Sequence, residues 1–229
     1  MPSNKKRLVL SEIEIAKPQL RLSRSTKLYL ILDAGVVSYD RLLSVLKTAV
    51  RCGAGIVQLR DKNGSAKDIL SFCRQALKIT AGRIPFIVND RVDLALLSGA
   101  NGVHLGQDDI SCRQARRMMG PQALIGVSCQ TYEHARKAQN DGADYVGFGS
   151  VFKTQTKPHR RPMDLKILRR VVAAMRIPVF PIGGISRSNM NVLTAIGIRR
   201  AAVCRDILLA KDPGRAVKEL KQYLSEPWR

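Results

Sequence analysis

The chain has 229 residues, 45% of them apolar, which is enough for one sizeable buried core. Its formal net charge of +21 points to anionic ligands, but only 5% of residues are aromatic and none interleave with basic runs, which argues against a stacking platform for single-stranded nucleic acid. Five scattered cysteines without a Cys-x-x-Cys spacing argue against a disulfide framework or a zinc site, and no apolar run reaches the roughly 18 residues of a membrane span.

Residues 1–27 carry seven basic and two acidic side chains without a sustained period, and are expected to form a basic arm. From residue 28 to 229 a single domain is expected. β-rich runs recur at Leu28 to Leu32, Ile56 to Leu59, Phe86 to Val88, Val103 to Leu105, Leu124 to Val127, Tyr145 to Phe148, Val179 to Pro181 and Ala201 to Val203. Between them, segments such as Arg41 to Cys52, Ala66 to Ala81, Tyr132 to Asp141 and Asp164 to Met175 space their apolar residues by three and four, as helices do. Strands alternating with helices imply parallel pairing through right-handed crossovers. The count and the length favour a closed (β/α)8 barrel over an open doubly wound sheet.

Such a barrel carries its chemistry at the carboxyl ends of its strands. Strand two runs into Gln58-Leu59-Arg60-Asp61-Lys62, where an amide and two cations alternate to one side and suit a diphosphate. Strand three ends in Asn89-Asp90 and strand four in Gly106-Gln107-Asp108-Asp109. Asp90 and Asp109 can supply the carboxylate pair that Mg²⁺ takes together with substrate phosphate oxygens, or they can simply cap the helices that follow. Ser128 follows strand five, Thr154, Thr156 and Lys157 follow strand six, and Gly183-Gly184 follows strand seven. Hydroxyls, an ammonium and close-approaching backbone N–H groups all suit phosphate, with the start of the strand-eight loop at Cys204 and Arg205 completing a phosphate site. Ser128 could instead cap a helix, and the glycine pair could be only a turn. His104, inside strand four, reads as a packed histidine outside the site, and Cys129 as an inert thiol.

Taken together, Val-Gln-Leu-Arg-Asp-Lys at 57–62, Ile-Val-Asn-Asp-Arg-Val-Asp-Leu-Ala at 87–95, Gly-Val-His-Leu-Gly-Gln-Asp-Asp at 102–109, Gly-Val-Ser at 126–128, Thr-Gln-Thr-Lys-Pro at 154–158 and Ile-Gly-Gly-Ile at 182–185 resemble the thiamine phosphate synthase family. The resemblance runs from about Tyr29 to Pro213. It implies that Gln58, Arg60, Lys62, Asn89, Ser128 and Lys157 bind 4-amino-2-methyl-5-hydroxymethylpyrimidine diphosphate. Asp90 and Asp109 would hold Mg²⁺, while Thr154, Thr156, Gly184 and backbone groups at Cys204 and Arg205 would hold the phosphate of 4-methyl-5-(2-hydroxyethyl)thiazole phosphate. Arg60, Lys62, Ser128 and Lys157 would be the catalytic set of a dissociative substitution that releases pyrophosphate. Gln130, Asp61 and the strand-eight ending depart from the family pattern, which commonly has histidine and glutamate at the first two. Two alternatives are a thiazole tautomerase-like barrel and a basic nucleic-acid-binding protein on a decayed barrel. The expected partners are therefore small molecules, with no sequence-specific nucleic acid and no membrane, in the cytoplasm. Homo-oligomerisation is left open.

Overall fold

The computed structural model describes residues 20–155 and 161–225. Residues 1–19 of the arm lie outside the described residues. Eight parallel strands, β1 (Leu28–Asp33), β2 (Ile56–Arg60), β3 (Phe86–Asn89), β4 (Gly102–Leu105), β5 (Leu124–Cys129), β6 (Tyr145–Phe148), β7 (Val179–Pro181) and β8 (Ala201–Val203), pair in chain order, with β8 returning to β1. A parallel bridge between Ile182, just past β7, and Ala202 brings the two ends of the sheet together. The barrel is nearly closed, and each strand lies within two residues of its sequence-based bounds.

Helices α1 (Tyr39–Cys52), α2 (Ala66–Thr80), α3 (Val92–Ser98), α4 (Cys112–Met119), α5 (Tyr132–Asn140), α6 (Leu165–Ala174), α7 (Met190–Ala195), α8 (Arg205–Leu208) and α9 (Pro213–Ser225) fill the connections. Several start on a side-chain cap: Ser38, Ser65, Ser111, Thr131 and Asp164 each accept a hydrogen bond from a backbone N–H of the first turn. Ser111 and Gln114 form a reciprocal capping box. None of the described helices is long and apolar enough to cross a membrane.

Strand alternation divides the core in two. Leu28, Leu30, Leu32, Val57, Leu59, Val103, Ile125, Val146 and Phe148 point outward and pack beneath the helices. Tyr29, Ile31, Ile56, Ile87, Leu124, Tyr145, Phe180 and Ala202 point into the barrel and pack inside it. Inward positions further up the strands include Gln58, Asn89, His104 and Ser128, so the parity that buries the core also delivers polar groups to one mouth. Truncating a fully buried outward residue, as in Phe148→Ala, should lower the unfolding free energy by about 3–5 kcal/mol in urea denaturation.

Candidate active site

The mouth at the carboxyl ends of the strands holds a pocket enclosing about 980 Å³ of empty space, part of it open to solvent, with contributions from every strand or the loop after it. Its floor is a chain of buried hydrogen bonds. Gln58 Nε2 donates to Tyr29 Oη at 2.5 Å, Tyr29 Oη lies 2.8 Å from Tyr145 Oη, and His104 places Nδ1 3.3 Å from Tyr145 Oη. On its other side His104 Nε2 meets Ser128 Oγ at 2.9 Å. Burial pushes both phenols well above their ordinary pKa, so they stay neutral donors and acceptors. Gly126 lets these groups converge, because a Cβ there would fall 2.2 Å from the Tyr145 ring and 2.5 Å from His104 Nδ1.

Above the floor, one side of the mouth is charged. Arg60 Nη1 donates to Asp33 Oδ2 at 2.8 Å, and Asp33 is almost fully buried. Asp33 therefore fixes the guanidinium at the pocket edge. One loop further out, the Asp61 carboxylate accepts from Tyr39 Oη at 2.5 Å and from the backbone N–H groups of Asn63 and Gly64 at 3.0 and 2.7 Å. Burial works to raise the Asp61 pKa, but these donors outweigh it and hold the carboxyl below its usual range. Lys62, in the turn so fixed, ion-pairs with Asp90.

Asp90 and Asp109 share a hydrogen bond between their carboxyl groups. Burial first, and then the Asp109 carboxyl beside it, raise Asp90. Asp109 is held below its usual range despite burial, by the hydrogen bond from Asp90 and by the Gly106 N–H at 2.6 Å. Each carboxylate disfavours charge on the other, a cost that a cation between them would relieve. Neither acts as a helix cap: α3 begins at Arg91 without a side-chain cap, and α4 is capped by Ser111. Asp90 also adopts a left-handed backbone at φ 61°, uncommon outside glycine and worth strain that a structural cap would not need. No group of three or more His, Cys, Asp or Glu placed to hold a metal ion occurs among the described residues. A two-carboxylate set suits Mg²⁺, which completes its shell with water and substrate oxygens.

The opposite side of the mouth is small and polar. Ser128 is not a cap, since Thr131 begins α5, and its carbonyl accepts from Gln107 Nε2 at 2.6 Å. Gly183 and Gly184 have φ of 103° and 66°, and Cβ atoms there would fall 2.1 Å from Ser150 Oγ and 2.3 Å from the Lys153 carbonyl. The pair is a close contact between two loops as well as a turn. Gly184, Thr154, Cys204 and Arg205 line the same pocket, with Cys204 at the N-terminus of α8. Burial pushes the Cys204 and Cys129 thiols up to about 12, so neither is a thiolate at neutral pH. Thr156 and Lys157 lie outside the described residues.

The exclusion of His104 from the site is corrected by the structure. It is packed and hydrogen-bonded, as its apolar neighbours suggest, yet it lines the pocket and holds Ser128. Asp33, Tyr29, Tyr145 and Tyr39 were not singled out as site residues. Asp33 directly follows Leu32 and meets the strand-end rule as it stands; the tyrosines carry no local signal.

A (β/α)8 barrel whose mouth sets two cations beside two carboxylates has a charge pattern suited to phosphate-bearing ligands. The sequence matches the thiamine monophosphate synthase family over residues 28–207, and the chain belongs to that family. Relatives named thiamine-phosphate synthase include one from Clostridium tetani, 38% identical over 200 residues that make up 87% of this chain and 96% of the relative. Another, from Gloeobacter violaceus, is 42% identical over 193 residues, 83% of this chain but 55% of the relative, so the chain spans about half of that longer protein. Among solved structures, thiamine phosphate pyrophosphorylase from Pyrococcus furiosus aligns with a TM-score of 0.78 at 33% identity, covering 87% of this chain and 96% of that one. A 3-hexulose-6-phosphate synthase, at 18% identity and TM-score 0.65 over 86% of this chain and 99% of that one, shares the fold.

Asp33→Asn should lower stability by about 3 kcal/mol, because it leaves the Arg60 guanidinium partly buried without its counter-charge. Urea midpoints of the variant and the parent protein check this, and equal midpoints would contradict it.

Proposed function

We propose that this chain is a thiamine-phosphate synthase that couples 4-amino-2-methyl-5-hydroxymethylpyrimidine diphosphate with 4-methyl-5-(2-hydroxyethyl)thiazole phosphate, giving thiamine phosphate and pyrophosphate. The observation that carries the proposal is the juxtaposition of Arg60 and Lys62 with the hydrogen-bonded Asp90–Asp109 pair at one mouth. A site for the diphosphate alone would need only the cations. A metal-bridged diphosphate needs both signs of charge.

In this reading Gln58, Asn89 and Ser128 face the polar edge of the pyrimidine. Ser128 is oriented by His104, and Gln58 by Tyr29. Arg60, Lys62 and Lys157 neutralise the diphosphate. Asp90 and Asp109 would hold Mg²⁺, which when bound supplies Lewis-acid charge to the leaving diphosphate oxygens. Thr154, Thr156, Gly184 and the backbone at Cys204 and Arg205 hold the thiazole phosphate, which places the ring nitrogen toward the pyrimidine methylene.

The substitution is dissociative. The methylene carbon–oxygen bond breaks, its electron pair leaves with pyrophosphate, and a pyrimidine-methyl cation remains. The thiazole nitrogen lone pair then forms the carbon–nitrogen bond. No proton moves and no protein nucleophile is required, which agrees with the absence of a thiolate at Cys129 or Cys204. The protein contributes charge fixed in advance and proximity of the two rings.

A thiazole tautomerase would have no use for the carboxylate pair, and the histidine such an enzyme employs near strand five is replaced here by Gln130. A decayed barrel that only binds nucleic acid would likewise gain nothing from acidic groups beside its cations. The five cysteines are free, as in a reducing cytoplasm, where we place the reaction.

Release of pyrophosphate should require both substrates and Mg²⁺, and a chelator should abolish it. Asp90→Asn and Asp109→Asn should each lower turnover by at least about tenfold, and Asp108→Asn by much less. Full activity after chelation, or equal losses at 108 and 109, would overturn the metal assignment.

A further inference from the structure

At the opposite end of the barrel, where the chain enters the strands, lies a second pocket enclosing about 790 Å³ of empty space, part of it open to solvent. Its walls include Leu22, Val172, Met175 and Ile198, and its rim carries Arg24, Arg176, Arg199 and Arg200. None of these four arginines forms an ion pair among the described residues. Arg199 gives Nη1 to the carbonyls of Thr194 and Ile198 at 2.7 and 3.0 Å, and Arg200 gives Nε to the Thr26 carbonyl at 3.2 Å. These bonds use one nitrogen of each guanidinium and fix its position, and a guanidinium has five N–H donors.

The described surface around the pocket is predominantly basic. The described loops leading into the strands also contain Arg21, Lys27 and Arg83, and their only carboxylates are Asp141 and Asp144. Both are already committed, Asp141 to Arg113 at 2.7 Å and Lys137 at 2.5 Å, and Asp144 to Arg116 at 2.6 Å. Basic residues in the last helical turns at this end, such as Arg51 and Lys78, complement helix dipoles. The four pocket arginines lie outside the helices, although Arg199 gives one nitrogen to the Thr194 carbonyl in the last turn of α7. Burial lowers Arg200 from the usual guanidinium value, and no carboxylate among the described residues offsets that cost.

We propose that Arg24, Arg176, Arg199 and Arg200 form a second anion site, at the far end of the barrel from the catalytic mouth, for a ligand with adjacent phosphate groups. Planar guanidinium forks pair with phosphate oxygens two bonds at a time, and four around one concavity match an oligophosphate better than a single phosphate. Two sources offer that chemistry: a free oligophosphate and the backbone of a nucleic acid. The site would also give a use to part of the positive charge that the synthase reaction leaves unexplained.

The test uses inorganic tripolyphosphate without Mg²⁺, in calorimetric titrations of Arg60→Met, whose catalytic anion site is weakened. One saturable site is expected, and it should weaken by at least about tenfold when Arg176→Gln and Arg200→Gln are added. Because Arg200 is half-buried, Arg24→Gln with Arg176→Gln, both at exposed positions, provides a second version with the same expectation. Placed in the otherwise unaltered chain, that pair should leave synthase turnover unchanged. A dodecanucleotide, followed by fluorescence anisotropy across a salt series, separates the sources. Salt-sensitive binding with the same arginine dependence identifies a nucleic-acid backbone, and tripolyphosphate binding alone identifies a free oligophosphate. No saturable binding of either probe to Arg60→Met, or affinities unchanged by both arginine pairs, would overturn the proposal.

Discussion

Two buried phenols that face each other across the barrel, Tyr29 and Tyr145, set the depth at which apolar core gives way to polar site. Below them Ile56, Leu124 and Phe180 fill the interior. Above them the inward positions include Gln58, Asn89, His104 and Ser128, with Ile31 and Ile182 as apolar walls of the pocket. Each phenol must keep its hydroxyl bonded, because an unpaired buried hydroxyl costs about 1–3 kcal/mol. The partners that satisfy them, Gln58 and His104, are thereby locked in orientation, and His104 passes the constraint on to Ser128. A requirement of the core thus becomes a pre-set arrangement of polar groups on the pocket floor.

The same economy operates at the charged rim. Arg60 and Lys62 are long side chains whose freedom would blunt any electrostatic role, and each is tied down by a different device. Buried Asp33 holds Arg60 directly. Lys62 is placed by a turn that Asp61 organises through two backbone N–H groups and the Tyr39 hydroxyl. The short Asp61 carboxylate is enough to close this turn. Groups fixed in this way stabilise developing charge without having to reorganise during the reaction.

Much of this was legible in the sequence because strand and helix periods are local properties. The eight strands follow from short β-rich runs between amphipathic helices, and parity along β2 and β3 alone places Gln58, Arg60 and Asn89 at the mouth. Position at a strand end singled out Asp90 and Asp109, although only the structure separates a coupled carboxyl pair from two helix caps. What stayed hidden depends on contacts between distant residues. Tyr29 and Tyr145 are 116 positions apart, and His104 meets Ser128 across 24. Asp33, directly after the first β-rich run, carries the same strand-end signal as Asp90 and Asp109. The polarity of the surface charge, with paired carboxylates at the strand entrances and arginines beside them that form no ion pair among the described residues, likewise depends on the fold, since the basic residues look dispersed along the chain.

The central claim is that charge fixed at the mouth draws a diphosphate away from carbon. It is tested most directly by single-turnover formation of the carbon–nitrogen bond in Arg60→Met, at saturating concentrations of both substrates and Mg²⁺. Methionine keeps much of the side-chain length and removes the charge, so the rate should fall by roughly 10²–10³-fold. An unchanged rate would contradict the account, as would a parent protein that isomerises a thiazole carboxylate phosphate and forms no carbon–nitrogen bond.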